Sequence, residues 1–99
     1  IVLNIVGGLK ISDPALDLAA CAAIISSEAN KSLDRETVIL GEIGLGGEVR
    51  QVFRLPERLQ EAARLGFKKA IIPDLEIKNS PLELVKVANI SDLLAYIKK

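Results

Sequence analysis

Apolar residues fall into short runs along this chain, and the period of the runs changes from one to the next. Ile1 to Val6 is rich in β-branched residues and stops at Gly7-Gly8, which predicts a strand entering a bend, with a loop after it. Ser12-Asp13-Pro14 supplies side-chain oxygens and then a proline whose missing N–H costs nothing in a first turn, so a helix is predicted from Pro14 to about Ala29. From Leu18 to Ile25 it carries no polar group except the Cys21 thiol, which predicts near-complete enclosure. Asn30 to Glu36 is a polar connection, and Thr37 to Leu40 reads as a buried strand. In Gly41 to Arg50 (GEIGLGGEVR) the glycines sit where a β-hairpin must turn. Leu55, Leu59, Ala62 and Ala63 share one face of a second helix from Pro56 to Leu65, stopped by Gly66. Ala70 to Ile72 is a strand closed by Pro73, Asp74 to Pro81 a loop, Glu83 to Val87 an alternating strand, and Ser91 the cap of a last helix through Ile97. Helices recur between strands, so the predicted class is mixed α/β (α+β), with a βαβ-like unit from Val49 to Ile72.

Composition narrows the chemistry. Ninety-nine residues, 49% of them hydrophobic, make one domain over residues 1–99 with room for a core. The absence of His removes every mechanism that uses an imidazole base, and Cys21 alone provides neither a zinc site nor a disulfide framework. The cytosol is the default compartment for such a chain. The longest apolar run falls well short of the roughly 20 residues that span a bilayer, so no membrane role is expected. Opening on Ile1 inside an apolar run and holding no Met, the chain reads as a piece of a longer polypeptide.

Asn4-Ile5-Val6-Gly7-Gly8-Leu9-Lys10-Ile11, Asp13-Pro14-Ala15, Asp17-Leu18-Ala19, the two Gly-Glu pairs of Gly41 to Arg50, and Leu55 to Ala62 with Gly66-Phe67 resemble the Lon-protease-like domain of the bacterial RadA (Sms) family of DNA-repair proteins. The resemblance spans nearly the whole chain. It implies a bacterial cytoplasmic protein in homologous recombination, assembled as a hexameric ring, whose zinc finger and RecA-like ATPase lie outside this segment. ATP, Mg and Zn are then expected in those other domains, and no cofactor here. The resemblance extends to the peptidase domain of Lon. There a serine in G-P-S-A-G opens the long helix, at Ala15 here (DPALD), and a lysine precedes the second helix, at Pro56 here. A methyl group cannot attack and a pyrrolidine ring cannot take a proton, so the resemblance implies a kept fold without peptidase chemistry.

Other candidates have plainer readings. Ser12 with Lys10 would form a surviving dyad, but a hydroxyl before Asp-Pro serves as a turn or cap acceptor; Ser26 and Ser27 with Lys31 are weaker still. Gly44-Leu45-Gly46-Gly47 feeds a strand and not the helix a phosphate loop requires. Cys21 fits a small core residue, and Asp17 a helix-start acid. Arg58 and Arg64 are expected to pair on their helix with Glu57 and Glu61.

Six basic and two acidic residues lie between Arg50 and Lys69, and a segregated basic surface attracts phosphates. Arg50, Arg54, Lys68 and Lys69 are the predicted contacts to the double-stranded DNA backbone, lining one surface. Two alternatives remain: an oligomerisation module whose arginines pair across subunits with Glu42, Glu48 or Asp17, and a residual serine peptidase.

Overall fold

The computed structural model describes residues 5–6, 9–10 and 13–99, with side chains from residue 13 onward. β1 (Ile5–Val6) and β2 (Leu9–Lys10) form an antiparallel pair, so a strand stands where a loop is expected after Gly8; the rest of the predicted Ile1–Val6 strand, with Gly7-Gly8, lies outside the described residues. A 3-10 turn (Pro14–Leu16) leads into α1 (Asp17–Ala29). β3 (Thr37–Ile39), the hairpin β4 (Glu42–Ile43) and β5 (Val49–Arg50), α2 (Leu55–Arg64), β6 (Lys69–Pro73), β7 (Glu83–Val87) and α3 (Ile90–Lys98) follow.

β3, β6 and β7 form a three-stranded parallel sheet in that order, Thr37 beside Lys69 and Lys69 beside Glu83. Alternation along β6 sends Ala70 and Ile72 to one face and Ile71 to the other. Ala70 and Ile72 pack with Leu55, Leu59 and Ala62 of α2. Ile71 packs with Leu18 and Ala22 of α1 and with Leu93 and Ile97 of α3. The result is three layers, helix on both faces of a parallel sheet, as such sheets require.

Chain direction follows from these connections. α1 begins beside Gly41, past the end of β3, and its last turn leads toward the start of β3. The chain leaving α2 bonds back to the start of β3, the N–H groups of Lys68 and Lys69 both reaching the Glu36 carbonyl at 2.8 and 3.2 Å. α3 follows the end of β7, and its Tyr96 and Ile97 come back to Thr37. All three strands thus start at one end of the molecule, and all three helices finish there.

Several expectations need correction. The crossover runs from β3 through the hairpin and α2 to β6; β5 pairs with β4 and is not a strand of the parallel sheet. Its other neighbour is the β7–α3 connection, where the Val49 N–H bonds the Ala88 carbonyl at 2.9 Å. α1 is half enclosed, with Leu18 and Ala22 buried while Ile24 is 51% exposed, because an outer-layer helix covers the sheet with one face only. Asn89, not Ser91, caps α3: its side chain accepts from the Asp92 N–H at 2.9 Å, and Asp92 in turn accepts from the Ala88 N–H at 2.8 Å. Thr37 to Ile39 is half-buried where a buried strand is expected, since β3 is an edge of the sheet. The β-hairpin, the second helix and the Gly66 stop at φ 102° stand as the sequence predicts.

The close approach that fixes this arrangement is at Gly41. Its N–H donates to the Ala15 carbonyl and its carbonyl accepts from the Leu18 N–H, each at 3.0 Å, so one residue joins the hairpin to the first turn of α1. A Cβ there would lie 2.8 Å from Leu18 Cδ2 and 3.1 Å from Val49 Cγ1, which leaves room for glycine alone. Gly41→Ala is expected to destabilise the domain by about 1–3 kcal/mol through overpacking, read as a lower urea midpoint at unchanged slope.

Candidate functional site

The two positions that matter most for peptidase chemistry meet in one place. Asp13, extended before the 3-10 turn, accepts from the Ala15 N–H at 3.0 Å, and this bond orients the turn. Ala15 is 2% exposed and belongs to the same core cluster as Val52, Leu55 and Leu59. Pro56 is the second residue of α2, immediately after Leu55 of that cluster, and its ring faces solvent. The fold therefore brings the start of α1 and the start of α2 together at the predicted nucleophile and base positions, and supplies a methyl group and a proline ring.

The backbone donors there are already engaged. The Leu16 N–H bonds the Asp13 carbonyl at 2.9 Å, the Asp17 N–H the Pro14 carbonyl, and the Leu18 N–H the Gly41 carbonyl at 3.0 Å. Asp17 is predicted as a helix-start acid, and it stands in the first turn of α1; its Oδ2 also accepts from the Ile43 N–H at 3.2 Å, a second tie to the hairpin. N–H groups that could stabilise a developing oxyanion are thus spent on the hairpin, on Asp13 and on Pro14.

Arg58 closes the remaining side. Its Nη1 donates to Asp13 Oδ2 at 3.2 Å and its Nε to the Phe53 carbonyl at 2.7 Å. This corrects the expectation that Arg58 pairs along its own helix. One guanidinium instead locks the strand-to-helix loop against the start of α1, with the charge-assisted geometry that arginine favours. Donation from Ala15 N–H and the Arg58 charge hold the Asp13 carboxyl below the usual aspartate range, against the opposing effect of partial burial. Arg64 does pair with Glu61 as predicted.

The predicted DNA contacts stand as two pairs at the two ends of α2. Arg50 and Arg54 flank the entry to α2, Lys68 and Lys69 follow its exit, and the ten residues of α2 hold the pairs roughly 15 Å apart. Three of the four also carry carboxylate partners. Both Nε and Nη2 of Arg50 donate to Glu48 Oε2, at 3.1 and 2.7 Å, and this hydrogen bond lowers the Glu48 pKa and raises that of Arg50. Arg54 lies 3.5 Å from Glu57, with its own backbone left-handed at φ 57°. Lys69 reaches Glu83 at 3.8 Å, and the Tyr96 hydroxyl followed by Glu83 raises its pKa. Lys68 is exposed.

Of the remaining candidates, Ser12 lies outside the described residues, and so does the side chain of Lys10. The Ser26 hydroxyl donates to the Lys31 carbonyl, a turn contact at the end of α1. Gly44 to Gly47 is the hairpin turn, closed by the Gly47 N–H on the Gly44 carbonyl at 3.0 Å. Cys21 is half-buried against the α1–α3 cluster. Among the described residues, no group of carboxylates or cysteine has a metal-holding arrangement, and no helix is long and apolar enough to cross a membrane. Sequence reasoning missed the Asp13–Arg58 bridge, whose partners are 45 residues apart and leave no local pattern.

Known proteins place this architecture. Residues 1–76 match the family model described as subunit ChlI of Mg-chelatase. The chain is 43% identical over 94% of its length to the DNA repair protein RadA of Synechocystis sp., 42% over 93% to that of Halalkalibacterium halodurans, and 42% over 96% to that of Aquifex aeolicus. It covers 19%, 21% and 22% of those three proteins, about a fifth of each.

A pH dependence follows from the bridge. Because the folded state keeps Asp13 ionised to lower pH than the unfolded chain does, its contribution is complete above the ordinary aspartate pKa and is lost as pH falls through the lowered value. Asp13→Asn is expected to be less stable than the parent near neutral pH, with the gap in urea midpoint narrowing below the ordinary aspartate value of about 3.9.

Proposed function

The chain belongs to the family that the ChlI model describes and is a counterpart of the Lon-protease-like domain of the bacterial DNA repair protein RadA; from this we propose that it is a non-catalytic domain of a repair and recombination ATPase. In this reading it serves as an assembly scaffold and as a sequence-independent contact to double-stranded DNA within a hexameric ring in the bacterial cytoplasm. Residues 1–99 act as one domain of a longer protein, and ATP, Mg and Zn belong to its other domains.

The observation that carries the non-catalytic part is the buried methyl of Ala15, tied to Gly41 and packed in one cluster with Leu55, with the solvent-facing ring of Pro56 next in the chain. A serine peptidase needs a hydroxyl, a base and a free oxyanion donor at that place, and each is replaced or engaged. DNA contact rests on the kinship with RadA and on surface cations that can neutralise phosphate charge without reading bases. Phe53 is 78% exposed and Leu45 wholly so, which favours a second reading in which this end of the molecule meets a neighbouring subunit and touches no DNA.

Three measurements test the proposal. A serine-reactive fluorophosphonate probe is expected to leave the protein unlabelled, and Ala15→Ser combined with Pro56→Lys to remain inactive on casein, because Gly41 and Asp13 still occupy the backbone donors. Labelling at Ser12 or Ser26 would restore the peptidase reading. Fluorescence anisotropy with unrelated duplexes of equal length is expected to give equal affinities that weaken steeply with salt. A ring that assembles without binding any duplex would leave the scaffold role alone.

A further inference from the structure

The parallel sheet sorts the charges of this electrically neutral chain to opposite ends. Where the strands end and the helices begin stand Asp13, Asp17, Glu42, Glu48, Glu57, Asp74 and Asp92, with Arg50, Arg54, Arg58 and Lys86. Each of those arginines holds one of the carboxylates: Glu48, Glu57 and Asp13 respectively. That end is left with an excess of negative charge.

Where the strands begin, Lys31, Arg35, Lys68, Lys69, Lys98 and Lys99 face four carboxylates, Glu28, Asp34, Glu36 and Glu83. Asp34 is occupied locally, accepting from the Glu36 N–H at 2.9 Å and from the Thr37 hydroxyl. Lys69 is engaged by Glu83. Among the described residues Lys31, Arg35 and Lys68 form no ion pair, and residues 1–12 contain no Asp or Glu to supply one. The bonds from the Lys68 and Lys69 N–H groups to Glu36 place the Arg35 connection beside the Lys68 connection. Next to them opens a cleft of about 290 Å³ lined by Ser32, Asp34, Thr37, Tyr96 and Lys99 with an apolar floor of Ile39 and Ile71.

We infer that the end where the strands begin, centred on Arg35 and Lys68 with Lys31 and Lys99, is the face that takes the DNA backbone, and that the Arg50–Arg54 end is not. The inference rests on the DNA-contact reading and gives it a location. A polyanion matches the free cations here, whereas at the other end it would have to displace Glu48 and Glu57 and then meet Asp17, Glu42 and Asp92. The helix carbonyl ends also converge on this face, and their partial negative charge sets aside part of the cationic excess. Binding is therefore modest in each copy and multiplies when several copies share one duplex.

Two charge-reversed variants of the protein separate the faces: Arg35→Glu with Lys68→Glu, and Arg50→Glu with Arg54→Glu. Each is titrated with a fluorescent duplex at several salt concentrations, and circular dichroism and oligomeric state are recorded for all samples. The first variant is expected to lose at least about tenfold in affinity and to flatten the salt slope by about two, one unit for each phosphate contact removed. The second is expected to change affinity by less than about threefold. The opposite ranking would overturn the location while leaving DNA contact standing. If the unaltered protein binds no duplex, or binds phosphatidylserine vesicles in preference to it, both the location and the DNA reading fall.

Discussion

One glycine sets the terms for the rest of this fold. Helix α1 begins with N–H groups that have no partner inside the helix, and the hairpin has to be held over the end of the sheet. Gly41 meets both needs, accepting from Leu18 and donating to Ala15, and Asp17 repeats the tie through Ile43. The contact brings the hairpin backbone so close to Leu18 that a Cβ on Gly41 would force the buried Leu18 side chain to shift. Once it is made, β3 and α1 are fixed in opposite directions, and α2 with β6 repeats that sense on the other face of the sheet.

The same contact has a chemical cost. The start of α1 is where this architecture would present a nucleophile and an oxyanion site, yet here it is filled by hairpin backbone and braced by the Asp13–Arg58 bridge. A buried Ala15 suits that closure because a hydroxyl would bring a polar group into an apolar cluster that offers it little. The ends of the sheet then differ in character. One is closed and rich in carboxylates, three of which hold arginines; at the other, among the described residues, Lys31, Arg35 and Lys68 form no ion pair. On the proposed reading function lies at the exposed surface and not at the enclosed position, in keeping with the kinship to RadA.

Local features were legible in the sequence. The glycines of Gly41 to Arg50 specify a hairpin, Gly66 a left-handed helix end, and Leu55, Leu59 and Ala62 a packed face, because each depends on neighbours a few residues away. The cap of α3 was misread as Ser91, although Asp92, three residues beyond Asn89, was a local signal for Asn89. The exposed side of α1 was hidden, because alanines and isoleucines look alike whether they meet a core or a neighbour. Proximity in sequence misled most at the basic residues. Arg50 to Lys69 reads as one cluster, yet the ten residues of α2 separate its two ends by roughly 15 Å, and Arg35 comes beside Lys68 only through the sheet.

Native-state hydrogen exchange at the Leu18 and Gly41 amides reads the seal over the start of α1. If the hairpin seals the start of α1 as a fixed part of the fold, both amides exchange only through global unfolding, with the same denaturant dependence as the most protected amides of β6. Fast, denaturant-independent exchange at these two positions while β6 stays protected would show the hairpin lifting on its own. The position of Ala15 would then be an opening site, and the account of a closed remnant would be wrong.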